Sequence, residues 1–144
     1  MRKAFTMTEL IFVIVILGIL AAVAVPKMGS TKSHAEISKA RTDVASIRSS
    51  ILTERQSQLI KGDSSFIDKL SEDDSVLFTG NGDGRTLFTY GIAAGTTDGK
   101  WSKVANKEEY NFHINGSDIK FTYDKSTGKF SCDRANETCK KIVD

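Results

Sequence analysis

The sequence predicts an α+β fold: a long amino-terminal helix, membrane-embedded over its first half, packed over its second half on a small carboxy-terminal antiparallel sheet. Three observations lead there. Residues 10–25 form a run of sixteen without a charged or strongly polar group, with Glu9 directly before it. Ile37, Ala40, Val44, Ile47 and Ile51 then step by three and four along one helical face. Finally Tyr110, Phe112 and Ile114, and after them Ile119, Phe121 and Tyr123, alternate with polar residues as half-buried strands do.

The apolar run sets the first question. As helix, residues 10–25 cover roughly 24 Å and residues 5–25 about 31 Å. Only the longer span matches the roughly 30 Å hydrocarbon layer, and it carries Glu9 into the bilayer. A carboxylate at that depth costs about 2.5 kcal/mol or more, so it should mark a function and have a partner. At the headgroups it needs neither. Three readings of this end compete. One is a secretory signal peptide, with Arg2 and Lys3 as its basic region and Ala22-Val23-Ala24 as its cleavage site. Another is an ordinary single-pass anchor, its orientation set by Arg2 and Lys3.

The third reading is a resemblance. Ala4-Phe5-Thr6, Glu9-Leu10, Gly18-Ile19-Leu20-Ala21 and Pro26 stand in an order that resembles the leader and first helix of class III signal peptide proteins. These are the type IV pilins and the pseudopilins of type II secretion. The resemblance covers about residues 1–30, with cut site, glutamate, apolar run and proline in register. Acid inside the apolar segment is unusual for a secretory signal peptide.

The resemblance implies a prepilin peptidase that cuts between Ala4 and Phe5 on the cytoplasmic side. Phe5 would then be the first residue, N-methylated, and Glu9 the assembly glutamate facing the terminal amine of a neighbouring subunit. Opposite charges in a dry helical core attract far more strongly than in water, and each is otherwise unpaired. The implied partners are other pilin-like subunits in a homo- or hetero-polymer, the peptidase, an inner-membrane assembly platform and membrane lipid. The implied location is the bacterial inner membrane, single-pass, with a periplasmic head that later joins a filament. Two departures stand out. Ala4 occupies a position where the family nearly always has glycine, and Met7-Thr8 replaces a more apolar pair.

The expected division is a leader at residues 1–4, a membrane and assembly helix at 5–26, its amphipathic continuation at 27–61 and a β-rich head at 62–144. Pro26 removes one backbone donor and should kink or loosen the helix without necessarily ending it. Gly29-Ser30 adds a second weak point, and Gly62 is the expected stop. The stripe from Ile37 to Ile51 fits a short coiled-coil seam or, preferably, the underside of the chain's own sheet.

Residues 62–99 are rich in glycine, aspartate and serine, with a helix-like stretch at 66–70 and an expected strand at 87–90. Asn81-Gly82-Asp83-Gly84 is turn chemistry. It lacks the spaced carboxylates and terminal glutamate of a calcium loop of the EF-hand type, so a loop needing positive backbone angles is the preferred reading. The next strands form a meander, joined by Asn115-Gly116-Ser117-Asp118 and by Lys125-Ser126-Thr127-Gly128, with a third strand through Phe130. Tyr110, Phe112, Ile119, Phe121 and Phe130 are expected in the core, with Trp101 covering the sheet's edge.

Cys132 and Cys139 are the only cysteines. An exported head places them in an oxidising compartment, where they should pair. In many pilins a disulfide staples a carboxy-terminal loop, which this pair resembles. Metal binding would need two more ligands, and only His34 and His113 exist, both distant in sequence and both expected in solvent. No cofactor is expected.

Charge and motifs exclude several functions. The formal charge is +2, and without Arg2 and Lys3 the chain has 18 basic and 18 acidic side chains. That balance suits packing among copies and gives no electrostatic case for nucleic acid as a main partner, leaving only a local basic patch on an assembled filament. No phosphate-binding loop or nucleophile motif is present, so the chain is not expected to be an enzyme. Asn115-Gly116-Ser117 and Asn136-Glu137-Thr138 match only the minimal glycosylation acceptor. The sequence therefore points to a structural filament subunit. A membrane-anchored binding module that never polymerises is the alternative, with Glu9 as the discriminating residue. Val25-Pro26-Lys27-Met28 and the charged residues 32–43 lean toward pseudopilins, the cysteine pair toward type IV pilins.

Overall fold

The computed structural model describes residues 5–144, with the side chains of residues 25–30 left aside. Ala4, Arg2 and Lys3 lie outside the described residues. The chain forms two compact units, the first ending at Ala35 and the second Glu36–Asp144. The helix α1, Met7–Ile60, contributes to both.

In the first unit, α1 is long and apolar enough over Met7–Ala24 to cross a membrane, and none of that window is buried. The helix assignment continues through Pro26. In the second unit α1 turns amphipathic. Ala40, Val44, Ile47 and Ile51 are buried, and Ile37 packs partly against them. The intervening Arg41, Thr42, Ala45, Ser46 and Ser49 are exposed. The stripe packs on the chain's own sheet, as preferred from sequence. Gly62 stops the helix with φ 89°, where a side chain would be strained. Lys61 and Asp63 both donate their N–H to the Gln58 carbonyl there, at 2.9 and 3.0 Å.

The remaining elements are β1 (Val76–Leu77), β2 (Ile92–Ala93), β3 (Trp101–Lys103), β4 (Glu109–Ile114), β5 (Ser117–Asp124), β6 (Lys129–Cys132) and α2 (Glu137–Val143). β1 and β2 form a small antiparallel pair, and β3-β4-β5-β6 an antiparallel meander. The expected hairpin is a two-residue turn: Asn115 and Gly116 take φ 49° and 68°, the double left-handed geometry that matches strand twist. Register then places Tyr110 opposite Phe121 and Phe112 opposite Ile119. All four are buried beneath α1, with Ile114, Tyr123 and Phe130. Phe121 stacks on Phe130 with ring centroids 5.2 Å apart.

Four expectations change. Trp101 is not an edge cover but a fully buried core residue, because β3 is itself a strand that sets Trp101 opposite Phe112. Its indole N–H donates to Asp43 Oδ2 of α1 at 2.9 Å. Residues 66–70 are not helical. Ile67 and Leu70 are buried loop anchors whose spacing imitates a helix face. Their backbone groups go to side chains in and beside the sheet instead: the Leu70 N–H donates to Glu108 Oε2 at 3.0 Å, and the Ile67 carbonyl accepts from the Tyr123 hydroxyl at 2.8 Å.

Residues 87–90 are not a strand. Leu87 and Phe88 do donate to the carbonyls of Thr79 and Phe78, at 3.2 and 3.0 Å. Phe78 sits at φ 62°, however, which breaks the extended partner the ladder would need. That backbone sends the Phe78 ring into the core, 4.7 Å from Tyr110 and 5.8 Å from Trp101 between centroids. His113 faces outward as expected but is not in solvent. Its side chain is 12% exposed and bonded on both sides.

Candidate functional site

The amino-terminal segment begins with a cap. Thr6 precedes the first helical residue, and its hydroxyl accepts the Glu9 N–H at 3.2 Å. The Glu9 carboxylate reaches back to accept both the Thr6 N–H, at 3.0 Å, and the Thr6 hydroxyl, at 2.9 Å. This is a reciprocal capping box, which satisfies donors that every helix start leaves open. The Thr6-x-x-Glu9 spacing announces it in the sequence, yet attention to the charge of Glu9 alone passes over Thr6. The negative side chain also meets the positive end of the helix macrodipole.

Around that cap the surface is apolar. Phe5 is 83% exposed, and Leu10 through Leu17 all present side chains outward. Phe5, Thr6, Glu9, Phe12 and Val13 line a shallow groove at the helix start. An apolar surface of this size is costly in water, and contiguous exposed patches of this kind mark an interaction surface. Within this segment Phe5 lies just before the start of α1 and Glu9 in its first turn, whereas Ala4 lies outside the described residues.

The second feature is the carboxy-terminal loop. Cys132, the last residue of β6, and Cys139, in α2, form the expected disulfide, with Cα atoms 6.0 Å apart. Asn136 caps α2: its Oδ1 accepts from the N–H groups of Thr138 and Cys139 at 2.8 and 3.2 Å. The glycosylation-like triplet is therefore a helix cap. Ile142 buries one face of α2 in the core, and the Arg41 side chain donates to the Lys141 carbonyl. The short helix is thus fixed by a cap, a covalent bond, a buried side chain and α1. Sequence reading missed α2 because seven residues are too few for a hydrophobic period to show.

Polar groups in the head serve as fasteners. Ser71 Oγ accepts the Phe78 N–H at 2.8 Å and the Tyr110 hydroxyl at 3.1 Å, while that hydroxyl also reaches Glu108 Oε2. Burial pushes the Tyr110 phenol well above its ordinary value. On the outer sheet face His113 lies between Asp118 Oδ1, at 2.6 Å, and Ser102 Oγ, at 2.8 Å. Those separations match a nucleophile–base–carboxylate relay. Here the three side chains tie β3, β4 and β5 to one another on that face. The 81–84 turn has the backbone expected of it, with Gly82 and Gly84 at φ 75° and 91°.

No family model matches the chain, and no solved structure matches it significantly. A curated relative is the fimbrial protein of Moraxella nonliquefaciens, 44% identical over 55 residues. That match covers 38% of this chain and 36% of the relative's length. Together with the exposed apolar helix and the α+β head, it fits the type IV pilin family.

Proposed function

We propose that this chain is a non-enzymatic structural subunit of a pilus-like filament, of the type IV pilus or type II secretion pseudopilus kind. It waits in the bacterial inner membrane with its head in the periplasm. Prepilin peptidase cuts between Ala4 and Phe5, the new amine is methylated, and the assembly platform moves the subunit from lipid into the polymer. The observation that carries this reading is the exposed apolar surface of Met7–Ala24, led by a carboxylate. Lipid covers such a surface before assembly, and neighbouring copies of it afterwards. Glu9 then finds in a neighbour's amine the charge it lacks within its own cap. The fimbrial relative and the stapled carboxy-terminal loop favour a pilus over a pseudopilus.

The alternative, an anchored binding module, draws on the same cap: Thr6 satisfies Glu9 without any neighbour. Intact mass and amino-terminal sequencing of protein from its native host separate these outcomes. The filament reading expects a chain that starts at Phe5 and carries one methyl group. A start near Val25 identifies an ordinary secretory signal and removes the filament reading, and an uncut chain identifies the anchor.

A further inference from the structure

On the outer face of the meander β3, β4 and β5 each supply one member of a hydrogen-bonded chain: Ser102, His113 and Asp118. Register sets His113 directly opposite Asp118, and His113 Nδ1 lies 2.6 Å from Asp118 Oδ1. Ser102 Oγ stands 2.8 Å from the other ring nitrogen, Nε2. The backbone of His113 is held at both of its polar groups. Its N–H donates to the Lys100 carbonyl at 3.0 Å, and its carbonyl accepts the Gly99 N–H at 2.7 Å. The imidazole therefore stands on paired backbone, the kind of support that keeps a reactive group in place.

An ionised carboxylate only accepts, so a neutral His113 beside Asp118 carries its proton on Nδ1 and leaves Nε2 bare. The bare nitrogen faces the Ser102 hydroxyl and can take its proton. A nucleophile and a base within hydrogen-bond reach, with the base oriented by a third group, is the arrangement that activates a serine. It is recognised by geometry and roles, whatever the order of its members in the chain. The His113 side chain is 12% exposed and Ser102 is partly exposed, so the base is shielded while the hydroxyl can be reached. Asn111 stands directly across from Ser102 in the β3–β4 register. Opposed residues on one face have Cβ atoms about 5 Å apart. That puts the Asn111 amide within reach of an oxygen that gains negative charge at Ser102.

We propose that Ser102 is a nucleophile that accepts an acyl group from an activated ester, with His113 as its base and Asp118 orienting that base. The Ser102 Oγ bonds to the carbonyl carbon of the ester while its proton passes to His113 Nε2. The bond from that carbon to the leaving oxygen then breaks, and the same proton goes to the departing alcohol. The products are O-acylated Ser102 and the free alcohol, with no change of oxidation state. The transfer modifies the head once per chain. It therefore stands beside the structural reading and does not depend on filament formation.

The test uses the purified full chain in detergent micelles and an alkyl fluorophosphonate, which phosphonylates an activated serine as fluoride leaves. Peptide mass spectrometry should place the phosphonyl group on Ser102, at least about tenfold faster than on any other serine of the chain. Ser102→Ala should abolish that label. His113→Gln should slow it about 10²-fold, the contribution of a positioned base. Asp118→Asn and Asn111→Ala should each slow it at least about tenfold. The same chain unfolded in urea should lose the preference for Ser102, which separates activation by the fold from local sequence. Labelling of Ser102 no faster than of the other serines overturns the proposal, as does undiminished labelling in a folded His113→Gln chain. The comparison of folded with unfolded wild type decides the matter even where a variant fails to fold.

Discussion

Arg85 donates to both carboxylate oxygens of Glu54, Nε to Oε1 and Nη2 to Oε2, each at 2.8 Å. The Glu54 side chain is 4% exposed and that of Arg85 14%. Glu54 follows the buried stripe of α1, and Arg85 belongs to the loop that carries Phe78 into the core. One planar pair therefore fastens an irregular loop to the helix. Arg85 also bonds the Ser65 carbonyl and hydroxyl at 3.0 and 2.9 Å, so the segment after Gly62 is held by the same guanidinium.

Removing one partner should be costly. Glu54→Gln takes the bidentate counter-charge from a nearly buried guanidinium and leaves it only the half-exposed Asp63, 3.6 Å away, at a cost of about 3 kcal/mol. Lys125→Ala breaks the exposed pair with Asp68 at 3.1 Å and should cost ~0–1 kcal/mol. Chemical denaturation of a soluble fragment beginning at Ser30 compares the two. Equal, small losses would mean that the Glu54–Arg85 pair does not fasten the loop.

The disulfide should matter on a similar scale. Closing the short Cys132–Cys139 loop contributes on the order of 2.5 kcal/mol on a chain-entropy account. For a head of this size that corresponds to roughly 10 °C in Tm. Cys132→Ser with Cys139→Ser, and separately the reduced wild-type fragment, should both melt earlier. If the oxidised and reduced fragments melt together, Ile142 and the Asn136 cap hold α2 without the bond.

Stability should fall at both ends of the pH scale. Hydrogen bonds from the Ser126 hydroxyl and N–H and from Thr127 hold the Asp124 carboxyl below its usual range; Ser65 does the same for Asp63, and Ser75 for Asp73. A depressed folded pKa gives stability that is present above the unfolded value, about 3.9, and is lost as pH falls through the folded one. Burial raises Tyr110 and Tyr123, so their contribution is complete below the unfolded value, about 10, and declines as pH climbs above it. Melting curves against pH should therefore drop below about pH 4 and above about pH 10. Tyr123→Phe should soften the alkaline drop. A head that gains stability above pH 10 would contradict the placement of these phenols.

What could be read from sequence followed from periodicity with enough repeats to count. The stripe from Ile37 to Ile51 and the alternation in β4 and β5 each gave several matches, and Asn115-Gly116 fixed the register between the strands. The pairs and short pieces were opaque. β1 and β2 have two residues each and β3 has three, too few for any period. Phe78 enters the core only because of a left-handed backbone that its type rarely adopts, and the partner of Trp101 lies 58 positions away at Asp43. At the amino terminus the apolar length and the capping spacing were both legible. The occupancy of the Glu9 carboxylate by Thr6 required coordinates.

That occupancy sharpens the test of Glu9. Its carboxylate already accepts two bonds from Thr6 on one oxygen, Oε2, leaving Oε1 for a neighbour. Glu9→Gln keeps an acceptor for the Thr6 N–H, so the helix should start as before, insert in the membrane and be cleaved. What it removes is the negative charge. In a dry core the neighbouring amine would then be buried unpaired, a loss of about 3–5 kcal/mol, against ~0–1 kcal/mol for a surface pair. The sheared-filament fraction should therefore collapse while the membrane fraction holds or rises. A subunit that is minor in its filament would show the same defect as failure to co-purify with the polymer. Wild-type filament yield from Glu9→Gln would leave Glu9 a helix cap and nothing more, because a neutral amide serves the cap but cannot neutralise an amine.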